Sequence, residues 1–132
     1  MGNSKILVDT SVIIEFLRKQ KKNESLLWKL KEDHSLIYIS SITVFELFAG
    51  ATDEQKRQDI FSLLNWLEPL PFTEELGELA GGLYIQLKKI NKKIEFRDLF
   101  IGATSIFYNL ELFTLNKKHF QNIPDIHLSK EV

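Results

Sequence analysis

The chain has 132 residues, 44% hydrophobic and 27% charged, with a net charge of −1 and no cysteine. That length suits a single domain, 1–132, with one sizeable core; the near-neutral charge excludes a globally basic nucleic-acid binder and leaves only local patches. The missing cysteine excludes disulfides and thiolate chemistry and fits a reducing, cytoplasmic setting.

Taken in chain order, Lys5-Ile6-Leu7-Val8 is an apolar run without alternation, as expected of a central parallel strand covered on both faces. Helices are expected over 11–19 and 24–33, with a strand at 36–39 between the second and the next. Ser40 or Ser41 caps a helix ending near Gly50, and 53–66 forms another with Leu63, Leu64 and Leu67 inward. The segment 67–72 is extended, but Pro69 and Pro71 confine it to a sheet edge or outside the sheet. Thr73 caps a long helix to about Ile90. Asp98 starts a helix to Tyr108, 112–115 is a strand, and 126–128 is a last short one. The stretch 99–115, although the most apolar, is too short and too polar to span a bilayer, and the N-terminus lacks a signal-peptide pattern. Strands separated by helices give an α/β class: a three-layer α/β/α domain on a mostly parallel sheet of four to five strands.

Three carboxylates lie inside or beside apolar runs: Asp9 after Ile6-Leu7-Val8, Glu46 among Val44, Phe45 and Leu47, and Asp98 before Leu99-Phe100-Ile101. Acidic residues are seldom buried without a partner, and a divalent cation held through oxygen is an economical shared counter-charge. Asp9 and Asp98 could instead cap helices, whereas Glu46 lies in mid-helix. In open parallel sheets, sites form outside the carboxyl ends of the strands, where Asp9, Thr114 and Asn116 stand. Gly50 and Gly102 each follow a carboxylate by four residues and so share its helix face. They can leave room for an ion, water or phosphate, although Gly50 can equally end its helix. Of the basic clusters, Lys92 and Lys93 before Asp98, and Lys117 and Lys118 beside Asn116, are favoured as phosphate contacts over a merely solvated face.

The segments Leu7-Val8-Asp9-Thr10-Ser11-Val12-Ile13-Ile14, Ser40-Ser41-Ile42-Thr43-Val44-Phe45-Glu46-Leu47, Arg97-Asp98-Leu99-Phe100-Ile101-Gly102-Ala103-Thr104 and Leu115-Asn116-Lys117-Lys118-His119-Phe120, in this order, resemble the PIN-domain nucleases. The resemblance is specifically to VapC-type toxins of prokaryotic toxin–antitoxin pairs, and it covers essentially the whole chain. It implies a metal-dependent endoribonuclease that hydrolyses RNA phosphodiester bonds with a metal-activated water, leaving a 5′-phosphate and a 3′-hydroxyl. Asp9, Glu46 and Asp98 would be the catalytic acids and hold Mg²⁺ or Mn²⁺, Glu46 directly or through water. Ser11 would sit beside the ion, with Thr114 and Asn116 lining the same pocket. The family pattern often has a fourth acid where this chain has His119, which leaves the second metal position open. The implied partners are the RNA substrate, an antitoxin with a DNA-binding domain, and a second copy in a homodimer. Apolar surface for the antitoxin is available in 25–30, 45–48 and 60–64. Two other readings stay open: a PIN nuclease of RNA processing without a toxin role, and a non-catalytic PIN-like RNA-binding module. A haloacid-dehalogenase-type phosphatase also begins with a strand ending in Asp, but it wants a second Asp where Ser11 stands.

Overall fold

A computed structural model describes residues 5–130. The order of elements is β1 (Lys5–Val8), α1 (Thr10–Arg18), a 3₁₀ turn (Lys22–Glu24), α2 (Leu26–Asp33), β2 (Leu36–Ser40), α3 (Ser41–Ala49), α4 (Glu54–Leu63), β3 (Glu68–Leu70), α5 (Glu74–Lys89), α6 (Phe96–Phe107), β4 (Glu111–Phe113) and α7 (Lys117–Phe120). The four strands form one all-parallel sheet in the order β3-β2-β1-β4.

Strand geometry explains the layers. Successive side chains on a strand point to opposite faces, so Ile6 and Val8 pack with α1, α2 and α4, together with Ile37, Ile39 and Phe113. Leu7 points the other way, into a second core with Leu70 and Leu112 under α5 and α6. Both faces of β1 are covered, which is why its run is continuously apolar. Serine, aspartate and threonine start four of the helices by accepting a backbone N–H: Ser25 for α2, Ser40 for α3, Asp53 for α4 and Thr73 for α5.

The topology positions the site. From β1 the chain moves outward to β2 and β3, then returns past β1 to form β4 on the other side. The strand order reverses between β1 and β4, and the crevice at their carboxyl ends is where open α/β sheets bind ligands. The backbone N–H of Asp9 donates to the Phe113 carbonyl at 2.9 Å, locking the two strand ends together.

Several sequence expectations shift. The segment 67–72 contributes a short edge strand, which tolerates Pro69 because its outer side needs no partner. The strand expected at 126–128 reduces to a single bridge between Leu128 and Leu112; Asp125 just before it adopts a positive φ of 66°, which turns the chain. The helix expected to end at 66 stops at Leu63. Asp98 does not start its helix: α6 begins at Phe96, and Asp98 lies in its first turn. The turn after Asn116 continues as α7, which Phe120 pins into the core.

Candidate active site

Asp9 occupies the N-cap position of α1 but makes no capping bond. Its carboxylate is used elsewhere. Oδ2 accepts from Ser11 Oγ at 2.8 Å and from Thr114 Oγ1 at 2.9 Å. Oδ1 accepts from Arg97 Nη2 at 3.1 Å. The side chain is wholly buried. A capping role is therefore excluded, and the two hydroxyls fix the carboxylate's plane. The same hydroxyls are tied down in turn: Ser11 Oγ accepts from the Leu115 N–H at 3.2 Å, and Thr114 Oγ1 from the Asn116 N–H at 3.0 Å.

Glu46 reaches the same place from α3. Oε1 accepts from Thr10 Oγ1 at 2.6 Å and from Arg97 Nη2 at 2.9 Å, and Oε2 accepts from Arg97 Nε at 2.6 Å. Behind Thr10 lies a chain of buried hydroxyls, with Thr43 Oγ1 at 2.9 Å and Ser40 Oγ 3.2 Å beyond it. Burial pushes the Glu46 carboxyl up, but the bonds from Arg97 and Thr10 outweigh it and hold the group below its ordinary value.

Asp98 enters from α6, with Oδ1 accepting from Arg97 Nη1. His119 Nδ1 stands 3.6 Å from Oδ2. Here burial wins: it raises the Asp98 carboxyl above its usual range, Arg97 and His119 offset only part of this, and the charge of Asp9 adds to it.

The hub of the arrangement is Arg97, whose guanidinium donates to all three carboxylates. Its bonds to Glu46 raise it well above the ordinary arginine value. Sequence reasoning quoted Arg97 only as part of a motif, and gave no role to Thr10 or Thr43. An arginine beside an aspartate reads locally as an exposed ion pair. The one available signal was the need for a counter-charge to three acids set in or beside apolar runs.

The remaining expected residues divide. Thr114 touches Asp9 directly, whereas Asn116 meets the site through its backbone. Asn116, Lys117, Lys118 and His119 line an open cleft of ≈ 470 Å³ with Phe113, Thr114 and Leu115. On the other side of Asn116, Ser11, Ile14, Glu15, Arg18, Lys19 and Leu115 line a second of ≈ 550 Å³. Lys92 and Lys93 are exposed on the connection between α5 and α6, outside the web of donors that meets the carboxylates. The glycines do not make room for a ligand. A Cβ on Gly102 would stand 2.5 Å from Ile123 Cδ1, so the missing side chain admits the chain after α7. Gly50 simply ends α3.

Three carboxylates against one guanidinium leave two formal negative charges in a largely buried centre. Every donor is a hard oxygen, which suits Mg²⁺ or Mn²⁺ and disfavours softer metals. The acids are, however, spaced around Arg97. Among the described residues, no three acidic or imidazole side chains stand together as a ready metal cluster. The donor set fits a divalent ion chemically, with Arg97 in its midst.

Comparison with known proteins follows the same lines. The PIN-domain family model matches residues 6–126. The chain is 34% identical to "Ribonuclease VapC1" of Methanocaldococcus jannaschii over 95% of its length and 85% of that protein. It is 31% identical to "Ribonuclease VapC" of Rickettsia bellii over 93% of each chain. Its fold superposes with a TM-score of 0.82 on a chain of the VapBC2 structure from Rickettsia felis bound to a promoter DNA fragment, at 26% identity and covering 95% and 97% of the two chains. This chain therefore belongs to the PIN-domain family, among the VapC proteins.

Proposed function

We propose that this chain is a metal-dependent endoribonuclease and the toxin of a toxin–antitoxin pair. The observation that carries the reading is the convergence of Asp9, Glu46 and Asp98 on one cation at the carboxyl ends of β1 and β4. The ribonuclease names of the relatives, and the VapBC complexes among the structural neighbours, support substrate and partner alike. The partner is then an antitoxin carrying a DNA-binding domain. A homodimer and a cytoplasmic setting belong to the same proposal, with the chain acting as a single domain. No helix among the described residues is long and apolar enough to cross a membrane.

In this reading Asp9 and Asp98 hold Mg²⁺ or Mn²⁺, with Glu46 contributing directly or through water. When bound, such an ion polarises a phosphate oxygen and makes water a stronger nucleophile at neutral pH. The chain's own groups do the rest. Ser11 and Thr114 orient the Asp9 carboxylate, so that only Oδ1 faces the reaction centre. Glu46, its Oε1 held by Thr10, accepts a hydrogen bond from the attacking water and aims it at phosphorus. Lys117 and Lys118 neutralise neighbouring phosphates along the cleft beside Asn116, and Lys92 and Lys93 do so farther out. His119 supports Asp98 rather than serving as a metal ligand.

The test has two parts. Purified protein should cleave structured RNA with Mg²⁺ or Mn²⁺ and stop in EDTA. Expression without an antitoxin should arrest bacterial growth, and Asp9→Asn should abolish that arrest. Undiminished cleavage in excess chelator would contradict the mechanism, and normal growth despite active enzyme would contradict the toxin role.

A further inference from the structure

The bonds of Arg97 leave few carboxylate oxygens for anything else. Both oxygens of Glu46 accept from it, as do Oδ1 of Asp9 and Oδ1 of Asp98. The second oxygen of Asp9 is taken by Ser11 and Thr114. Only Oδ2 of Asp98, facing His119, lies outside this web. A small divalent ion needs carboxylate oxygens at about 2.0–2.1 Å, so an ion shared by all three carboxylates would have to stand where the guanidinium now spans them. The two cations want the same atoms.

We propose that Arg97 is the resident counter-cation of this site: it holds the three carboxylates together without metal and is displaced when a divalent ion enters. The proposal rests on the metal-dependent reading above and adds a residue to it.

Two features make the exchange reasonable. Three converging carboxylates, two of them buried, would repel one another without a cation, so the apo fold needs a positive group at this point. Arg97 is also anchored at the first turn of α6 with 30% of its side chain exposed, whereas Asp9 is wholly buried. The acids stay, and the long side chain has a way out to solvent. A guanidinium carries one charge against a divalent ion's two, so the incoming ion neutralises the remaining deficit better. Metal affinity is then the difference between two occupancies, not the bare affinity of three carboxylates.

The experiment follows Arg97 itself. In ¹⁵N-labelled wild-type protein, the Arg97 Nε–H, bonded to Glu46, should give a resonance protected from solvent exchange. Saturating Mg²⁺ should shift that resonance and remove its protection. In parallel, calorimetric titration of Mg²⁺ should show Arg97→Gln binding about tenfold or more tightly than wild type, since the competitor is gone. The metal-free variant should melt earlier and recover on adding Mg²⁺. Mg²⁺ binding to wild type with the Arg97 Nε–H unmoved and still protected would overturn the displacement and leave the metal reading standing. Equal or weaker binding by a folded Arg97→Gln would overturn it too. If Mg²⁺ and Mn²⁺ bind neither protein, the metal reading falls and the proposal with it. Should Arg97→Gln fail to fold without metal, the wild-type resonance still decides.

Discussion

Helix α3 carries two neighbouring residues with opposite fates. Glu46 lies in a web of hydroxyl and guanidinium bonds, each oxygen assigned a donor. Phe45, one position earlier and about 100° round the helix, is 69% exposed. Phe48 and Phe61 extend that outer surface, their rings 5.0 Å apart with the Arg57 guanidinium over both. The carboxylate centre is polar, buried and fixed in direction. The aromatic ridge is apolar and exposed at Phe45 and Phe61, with Phe48 packed against the core beneath them. Chemistry on a phosphodiester needs oriented groups, whereas docking of a protein partner needs aromatic area to cover. One short helix therefore joins the proposed catalytic centre to a surface suited to restraint, and the two should respond separately to mutation.

The largest effect is expected at the centre. Asp9→Asn would turn an amide N–H toward either the Arg97 or the Ser11 and Thr114 donors, and it removes one of the charges proposed to hold the ion. Cleavage should fall about a hundredfold or more, with the folded state retained by circular dichroism. Glu46→Gln should lose cleavage on a similar scale while leaving antitoxin binding intact. On the ridge the pattern should reverse: Phe45→Ser combined with Phe61→Ser should weaken antitoxin binding about tenfold or more and leave cleavage in Mg²⁺ unchanged. Loss of both functions in either set would mean that the two regions are not separable.

Smaller effects sharpen the same contrast. Gly102→Val should destabilise by about 1–3 kcal/mol through overpacking against Ile123, read as a lower melting temperature. Gly102→Ala should cost far less, because the crowding atom is the tip of one isoleucine and alanine regains about 1 kcal/mol of helix propensity. The smallest change is expected at His119. Being 53% exposed and 3.6 Å from Asp98, it should lose less activity as alanine than Asp98→Ala does. His119→Asp should tighten metal binding by adding a charge; equal losses at the two positions would give His119 a direct role.

Much of this was legible in the sequence because the signals were local. An apolar strand ending in Asp9, a glutamate in the middle of an apolar helix, and Asp98 opening a buried helical face each stand out from their neighbours. The sheet and its layers followed from unbroken apolar runs between helical segments. What escaped depends on distant parts of the chain. Arg97 gained its role because β1, α3 and α6 bring three acids around it, and no spacing encodes that. Gly102 reads as space beside Asp98, yet Ile123, from beyond α7, fills that space. Helix α7 itself has four residues, three of them polar, with Phe120 alone buried, too short for any periodicity to register. The final strand dwindled to one bridge because its neighbour Asp125 turns the chain, a backbone property that residue type only hints at.

The central claim is that Asp9, Glu46 and Asp98 form one divalent-cation site on which RNA cleavage depends. Anomalous diffraction from crystals grown with Mn²⁺ tests it most directly. The account predicts a single strong anomalous peak within coordination distance of the Asp9 and Asp98 carboxylates, lost in crystals of Asp9→Asn. A Mn²⁺ peak elsewhere, or none at these carboxylates in protein that cleaves RNA with Mn²⁺, would contradict it.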